Sequence, residues 1–179
     1  MWFSCWLLLL ALAYLSDQVD GWSIQYNENP SVDGNDLRDT PNHRMDLIFP
    51  GTKWCGSGDI AENIDDLGKF SETDACCRQH DMCNDVIEAR QTGHGLTNPS
   101  FYTRLHCSCD ETFYDCLHRS EDGAGRSVGF FYFSVLDTQC FREDYPIVGC
   151  KRSTSRCLQY ELDESQPKKY QWFDVPFYK

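Results

Sequence analysis

Apolar residues form one uninterrupted run near the start of the chain and are interrupted by polar residues elsewhere. The run spans Trp6 to Ala13; it is too short to cross a membrane and is typical of the apolar core of a signal peptide. Small residues at Val19 and Gly21 favour cleavage after Gly21. We therefore predict that residues 1–21 are a signal peptide, and that the protein is secreted, extracellular and without a transmembrane segment.

The remaining pattern predicts an α+β protein, mainly α with a small β region. Thr73 or Asp74 can cap a helix that runs to about Ala89, because either side chain can accept a hydrogen bond from a free backbone amide. Glycine, proline and β-branched residues mark the other boundaries. The predicted elements are helices over 73–89, 103–119 and 128–136, a loop over 92–100, a glycine-containing break at 123–125, and short strands between 141 and 179.

Residues 22–44 differ from both neighbouring segments. They are polar, show little apolar periodicity and contain no cysteine. This composition is typical of a disordered or removable pro-segment, and Arg44 is a plausible processing site. Residues 45–179 are then expected to form a single domain.

Net charge restricts the partners of this domain. The whole chain carries −12, and residues 45–179 hold 14 Lys and Arg against 22 Asp and Glu, a net charge of −8. Nucleic acid is an unfavourable partner for such a surface, because phosphate binding needs positive charge.

The cysteines predict five disulfides. Of 11 cysteines, Cys5 lies in the signal peptide, which leaves ten in an oxidising compartment. Zinc binding is disfavoured because adjacent cysteines at 76 and 77 have poor ligand spacing. Two antiparallel helices would pair their cysteines in reverse order, and the remaining six can be paired by proximity, although spacing alone leaves the connectivity open. The pairs favoured by this geometry are Cys76–Cys116, Cys83–Cys109, Cys55–Cys77, Cys107–Cys140 and Cys150–Cys157.

A histidine and an aspartate lie side by side within the cysteine-rich stretch. On a helix, His80 would share a face with Cys76 and Cys83, while Asp81 would share another face with Cys77, about 100° away. The stretch can therefore hold a general base on one face and a cation ligand on the other.

The stretch from Trp54 to Gly58 is a candidate calcium loop. Its alternating glycines allow unusual backbone angles, so that several carbonyls can converge. The carbonyls of Trp54, Gly56 and Gly58, together with the Asp81 carboxylate, would form the all-oxygen set that Ca²⁺ prefers. A plain turn is the alternative, and a phosphate-binding loop is disfavoured because no helix or lysine of the required kind follows.

The chain resembles secreted phospholipase A2 of the bee-venom (group III) type over nearly all of 47–178. The resemblance rests on long ordered motifs and on counterparts for all ten cysteines. These motifs are WCGSG at 54–58, CCRQHDMC at 76–83, HGLT at 94–97, CSCD at 107–110, FYDC at 113–116 and YQWFD at 170–174.

The resemblance implies a calcium-dependent hydrolase that cleaves the sn-2 ester of glycerophospholipids into a lysophospholipid and a fatty acid. His80 would be the general base, Asp110 would bond its other ring nitrogen, and Tyr132 would support the pair. Trp54, Gly56, Gly58 and Asp81 would hold Ca²⁺, and the five implied bridges agree with the pairs above. The expected partner is a phospholipid aggregate or membrane surface, bound reversibly by a monomer.

Simpler interpretations remain for these residues. His80 could be a buried structural histidine, Asp110 a helix-turn residue and Tyr132 part of the core. The C-terminal aromatic residues could anchor at a lipid surface or pack a strand pair. The whole chain could also be a non-enzymatic toxin or receptor-binding protein on the same scaffold, although such a protein would usually lack the base or the cation ligand. The acidic charge departs from the basic bee-venom enzyme and predicts weaker binding to anionic vesicles.

Overall fold

The computed structural model describes residues 47–153 and 155–179. The predicted signal peptide (1–21), the predicted pro-segment (22–44) and the expected domain start at Met45 lie outside the described residues. None of the described helices is both long enough and apolar enough to cross a membrane.

Helices and short antiparallel strand pairs make up the described fold, which confirms the α+β class. Helix α1 spans Ser71–Asp81, α2 spans Cys107–Arg119, and α3 spans Gly125–Gly129 and continues directly into a π-helix over Phe130–Val135. The strands are β1 Val86–Ile87, β2 Thr92–Gly93, β3 Leu96–Thr97, β4 Arg104–Leu105, β5 Gln139–Asp144, β6 Ile147–Ser153, β7 Arg156–Leu162 and β8 Lys169–Asp174. They pair as β1–β4, β2–β3, β5–β8 and β6–β7.

The first two helices are shorter than predicted. Helix α1 ends at Asp81 instead of Ala89, because Val86 and Ile87 pair with Leu105 and Arg104 in a two-stranded sheet. The same pairing delays the start of α2 from Thr103 to Cys107. The predicted loop over 92–100 contains the β2–β3 hairpin, whose turn has positive φ at His94 and Gly95.

Neither predicted cap residue caps helix α1. The residue before the helix is Phe70, which makes no side-chain cap. Instead, the distant Asp122 carboxylate accepts hydrogen bonds from the Thr73 backbone N–H at 2.9 Å and from the Thr73 hydroxyl at 2.5 Å. A carboxylate at this end of a helix is favourable because the free N–H groups point toward it.

Asp74 faces inward and holds the segment before the helix. Its buried carboxylate accepts the backbone N–H of Lys53 at 2.9 Å, of Trp54 at 2.8 Å and of Gly68 at 2.7 Å. The candidate calcium loop is thereby fixed to α1 in two ways: its backbone N–H groups donate to the Asp74 carboxylate, and a disulfide joins Cys55 to Cys77.

The core lies between α2, α3 with its π-helical continuation, and β8. It consists of buried aliphatic and aromatic side chains packed around the half-cystines. Its members include Phe113 and Leu117 of α2, Val128 of α3, Phe133 of the π-helix, and Phe173 and Val175 at the end of the chain.

The substitution Asp74→Ala should strongly destabilise the fold. It would leave the partly buried amides of Lys53, Trp54 and Gly68 without their acceptor, and each unsatisfied buried donor costs about 1–3 kcal/mol. We expect the free energy of unfolding to fall by about 3 kcal/mol or more, as measured by denaturant titration with the disulfides intact. Asp115→Ala, on the exposed face of α2, is the control and should have little effect. A small change at Asp74 would contradict the role given to its carboxylate.

Candidate active site

Five disulfides cross-link the described fold, and three of them join the elements that carry His80, Asp110 and the glycine loop. Two of them, Cys76–Cys116 and Cys83–Cys109, connect the end of α1 to α2 in antiparallel order. The others are Cys55–Cys77 between the glycine loop and α1, Cys107–Cys140 between α2 and β5, and Cys150–Cys157 within the β6–β7 hairpin. His80 lies between the two helix-to-helix bridges and faces α2.

His80 and Asp110 form a buried hydrogen-bonded pair. His80 Nε2 lies 2.8 Å from Asp110 Oδ1, and the residues are only 8% and 3% exposed. The imidazole stacks on Phe113 at a centroid distance of 4.3 Å, which fixes the plane of the ring. No described residue forms a hydrogen bond with Nδ1. In the tautomer that donates from Nε2 to Asp110, Nδ1 carries a lone pair that no described residue uses.

Tyr132 completes this cluster from the π-helix. Its hydroxyl donates a hydrogen bond of 2.8 Å to the same oxygen, Asp110 Oδ1, and its ring lies edge-on to His80 at 5.0 Å. Burial, followed by the adjacent Asp110 carboxylate, raises the pKa of Tyr132 well above its usual range. Tyr132 therefore stays protonated and acts as a donor, while the buried Oδ2 of Asp110 has no hydrogen-bond partner among the described residues.

Asp81 lies at the solvent-exposed end of α1, on the face that carries Cys77. Although the residue as a whole is exposed, the surrounding protein removes water from the carboxylate, and this desolvation raises the pKa of Asp81 to about 7. Neighbouring His80 lowers the pKa, whereas the negative charges of Asp59 and Asp74 raise it. A cation next to the Asp81 carboxylate would therefore be stabilised by the surrounding negative charge.

Two carbonyls of the glycine loop accept main-chain hydrogen bonds. The carbonyl of Lys53 accepts from Ile60 N–H at 2.9 Å and that of Cys55 accepts from Phe49 N–H at 2.8 Å. In contrast, no described residue donates to the carbonyls of Trp54, Gly56 and Gly58. These are the three carbonyls that the sequence analysis predicts as calcium ligands.

Two glycines are required by the path of this loop. A Cβ on Gly56 would lie 2.0 Å from the main-chain oxygen of Leu47, which runs alongside. Gly58 has φ +106°, in the region that glycine adopts at little cost.

The donor set fits a hard cation better than a transition metal. Within 47–153 and 155–179, no group of three or more His, Cys, Asp and Glu side chains is placed to hold a metal ion. A cation at Asp81 would therefore depend on main-chain oxygens, which Ca²⁺ accepts readily. The chemistry of the free carbonyls and of one carboxylate is compatible with Ca²⁺.

Asp74, which the sequence interpretation offered as a helix cap, instead holds the glycine loop next to the site. A signal for its role was present in the spacing. Asp74, Cys77 and Asp81 recur at i, i+3 and i+7, so that all three share the face of α1 toward the glycine loop. The Cys77 bridge to Cys55 identifies what that face contacts.

The aromatic residues near the C-terminus mainly pack against the protein. Phe173 is buried, Tyr170 stacks on His94 at 4.1 Å and Trp172 contacts Phe141 at 5.9 Å. Among the described residues, the strongly exposed aromatic side chains are instead Phe101, at 80% exposure, and Phe130, at 56%.

Known proteins similar to this chain share one description. A family model described as Phospholipase A2 matches residues 48–144. Phospholipase A2 of Bombus pensylvanicus is 57% identical over 136 residues, which cover 74% of this chain and 100% of that protein. Phospholipase A2 of Apis mellifera is 44% identical over 177 residues, 98% of this chain and 96% of that protein. Acidic phospholipase A2 PA4 of Heloderma suspectum is 44% identical over 95 residues, 53% of this chain and 67% of that protein.

The raised pKa of Asp81 predicts pH-dependent calcium binding. Below a pKa of about 7 a proton occupies the carboxylate and competes with the cation, whereas above it the carboxylate is free. We expect the apparent affinity for Ca²⁺ to fall about tenfold per pH unit on acidification below neutrality, as measured by isothermal titration calorimetry between pH 5 and 8. Asp81→Asn should bind weakly and lose this dependence. Equal wild-type affinities at pH 5.5 and pH 8 would contradict the assignment.

Proposed function

Because this chain belongs to the phospholipase A2 family, we propose that it is a secreted, calcium-dependent enzyme that hydrolyses the sn-2 ester of glycerophospholipids. The products are a lysophospholipid and a free fatty acid. Residues 1–21 serve as the signal peptide, residues 22–44 as the pro-segment, and residues 45–179 as a monomeric catalytic domain. The observation that carries the proposal is the buried contact of His80 and Tyr132 with one oxygen of Asp110, at 2.8 Å each, with Nδ1 of His80 left open.

His80 is the general base in this mechanism. Its Nδ1 removes a proton from a water molecule as the water oxygen attacks the ester carbonyl carbon. The imidazolium then returns the proton to the sn-2 oxygen as the bond between that oxygen and the carbonyl carbon breaks. No covalent acyl-enzyme is formed, and each proton taken from water ends on a product.

Asp110 and Tyr132 act through His80. Asp110 accepts a hydrogen bond from the Nε2–H of His80, which selects the tautomer with a free Nδ1 and stabilises the imidazolium formed during attack. Tyr132 donates to the same carboxylate oxygen, which orients the carboxylate toward the ring.

Asp81 and the carbonyls of Trp54, Gly56 and Gly58 hold the calcium ion. When bound, Ca²⁺ would supply positive charge to the ester carbonyl and to the substrate phosphate. Asp74 and the bridge between Cys55 and Cys77 keep the ligand loop against α1.

The substrate is presented at a lipid surface. Exposed apolar side chains, led by Phe101 and Phe130, are available for reversible contact with zwitterionic phospholipid. The acidic net charge of residues 45–179, −8 from 14 Lys and Arg against 22 Asp and Glu, disfavours strongly anionic vesicles. A non-enzymatic binding role on the same scaffold has no specific observation in its favour, since the base, its carboxylate partner and the candidate cation ligands are all present.

The regiochemistry and metal requirement can be tested together. Phosphatidylcholine with different acyl chains at sn-1 and sn-2 should release only the sn-2 chain, as measured by mass spectrometry of the products. A calcium chelator should abolish release, because the ester carbonyl oxygen of the substrate then has no cationic partner. Added Ca²⁺ should restore release. Release of the sn-1 chain, or full turnover in excess chelator, would refute the proposal.

The assignment of the base can be tested with a matched pair of histidines. His80→Gln should reduce kcat by about 10²–10⁴ while retaining the fold and calcium affinity. His94 also bonds an aspartate, with its Nε2 2.7 Å from Asp85 Oδ1, but lies at the surface. His94→Gln is therefore the control and should keep wild-type activity on phosphatidylcholine vesicles. A fully active His80→Gln would show that another residue is the base.

A further inference from the structure

The element that carries Tyr132 contains no cysteine and therefore has no disulfide of its own to the rest of the site. The disulfides fix α1, α2, β5 and the glycine loop to one another. The sequence contains no cysteine between Cys116 and Cys140, and α3 and the π-helix lie within this interval. The 2.8 Å hydrogen bond from Tyr132 to Asp110 therefore depends on non-covalent packing that sets the distance between the π-helix and α2.

The C-terminal tail, residues 175–179, lies against α2 next to Asp110. Tyr114, one helical turn after Asp110, donates from its hydroxyl to the carbonyl of Phe177 at 3.4 Å. His118, a further turn along, places Nε2 3.0 Å from the main-chain oxygen of Lys179. The tail thus follows the face of α2 that also presents Asp110.

The same tail contacts the elements that carry Tyr132. The backbone N–H of Tyr178 donates to Ser134 Oγ at 3.1 Å, and its ring stacks on Phe133 at 6.0 Å. The ring also covers Gly129, where an added Cβ would lie 2.3 Å from Tyr178 Cε2. The absence of a side chain at Gly129 therefore leaves the space that this ring occupies. Any larger residue at 129 would require the ring to move.

Arg156 also joins the C-terminal tail to the π-helix. This residue is 2% exposed, and its guanidinium lies 4.4 Å from the centre of the Phe177 ring. It donates to the carbonyls of Phe133 and Val175, and so joins the π-helix to the start of the tail.

We propose that the C-terminal tail is a clasp that positions Tyr132 over Asp110, with Tyr178 as the positioning residue. The tail spans α2 and the π-helix, the two elements whose separation determines whether the Tyr132 hydroxyl reaches Asp110 Oδ1. Tyr178 touches neither substrate nor the reacting atoms, and acts through Tyr132. The proposal rests on the proposed function, since its consequence is measured as hydrolysis.

Removal of the Tyr178 ring should lower kcat and leave KM nearly unchanged. Tyr178→Ala should reduce kcat about tenfold or more, because small misplacements of catalytic groups have effects of this order or larger. Tyr178→Phe retains the ring over Gly129 and should restore wild-type kcat. Tyr145→Ala removes another half-buried tyrosine, in the turn between β5 and β6, and is the control for general loss of packing; it should keep wild-type kcat.

A double-mutant cycle tests whether the tail acts through Tyr132. In a Tyr132→Phe background, Tyr178→Ala should change kcat by less than about twofold, because coupled residues are not additive. Additive losses would overturn the proposal. An inactive wild-type protein would instead refute the proposed function, so that the two failures are distinguishable.

Gly129→Ala keeps the test decisive if Tyr178→Ala does not fold. The added methyl group must displace the Tyr178 ring, while alanine favours the helix more than glycine does. Reduced kcat at unchanged KM in a folded Gly129→Ala protein supports the clasp, and wild-type kcat overturns it.

Discussion

The structure depends on two disulfides that join one end of α1 to α2 and enclose His80. Cys76–Cys116 and Cys83–Cys109 close separations of 40 and 26 residues, and each such closure removes conformational freedom from the unfolded chain. Because the bridges lie on both sides of His80, the histidine cannot slide along α2 or rotate away from Asp110. Disulfides also join other parts of the molecule to these two helices: Cys77 connects the glycine loop to α1, and Cys107 connects the β5–β8 sheet to α2. Tyr132 is instead held by packing and by its hydrogen bond to Asp110.

Two buried carboxylates serve different purposes within this frame. Asp74 accepts three main-chain N–H groups, so its role is to hold a loop. Asp110 receives His80 and Tyr132 on one oxygen and leaves the other without a partner among the described residues. A buried polar atom without a partner is costly, and such incomplete satisfaction is accepted more readily where a group serves the chemistry than where it serves the fold. The contrast supports the separate assignments of the two residues.

The sequence predicted the features that depend on local spacing and missed those that depend on distant partners. The helix pair and the α+β class followed from cysteine and turn patterns. The early end of α1 could not be foreseen, because Val86 and Ile87 fit a helix pattern until their pairing with Arg104 and Leu105 is known. The prediction that Thr73 caps α1 was wrong for the same reason. The carboxylate that accepts from the Thr73 N–H belongs to Asp122, which lies far along the chain. The tail contact at Gly129 also joins remote residues, so no local pattern indicated it.

In the proposed mechanism, Asp110 holds the proton of neutral His80 on Nε2 and leaves Nδ1 free to accept a proton from water. Nitrogen-15 NMR of the His80 ring, assigned by comparison with His80→Gln, measures this directly at neutral or mildly alkaline pH. We expect a protonated Nε2 with a hydrogen-bonded proton signal and an unprotonated Nδ1, and we expect Asp110→Ala to mix the tautomers. A wild-type ring that carries its proton on Nδ1 would contradict the proposed mechanism.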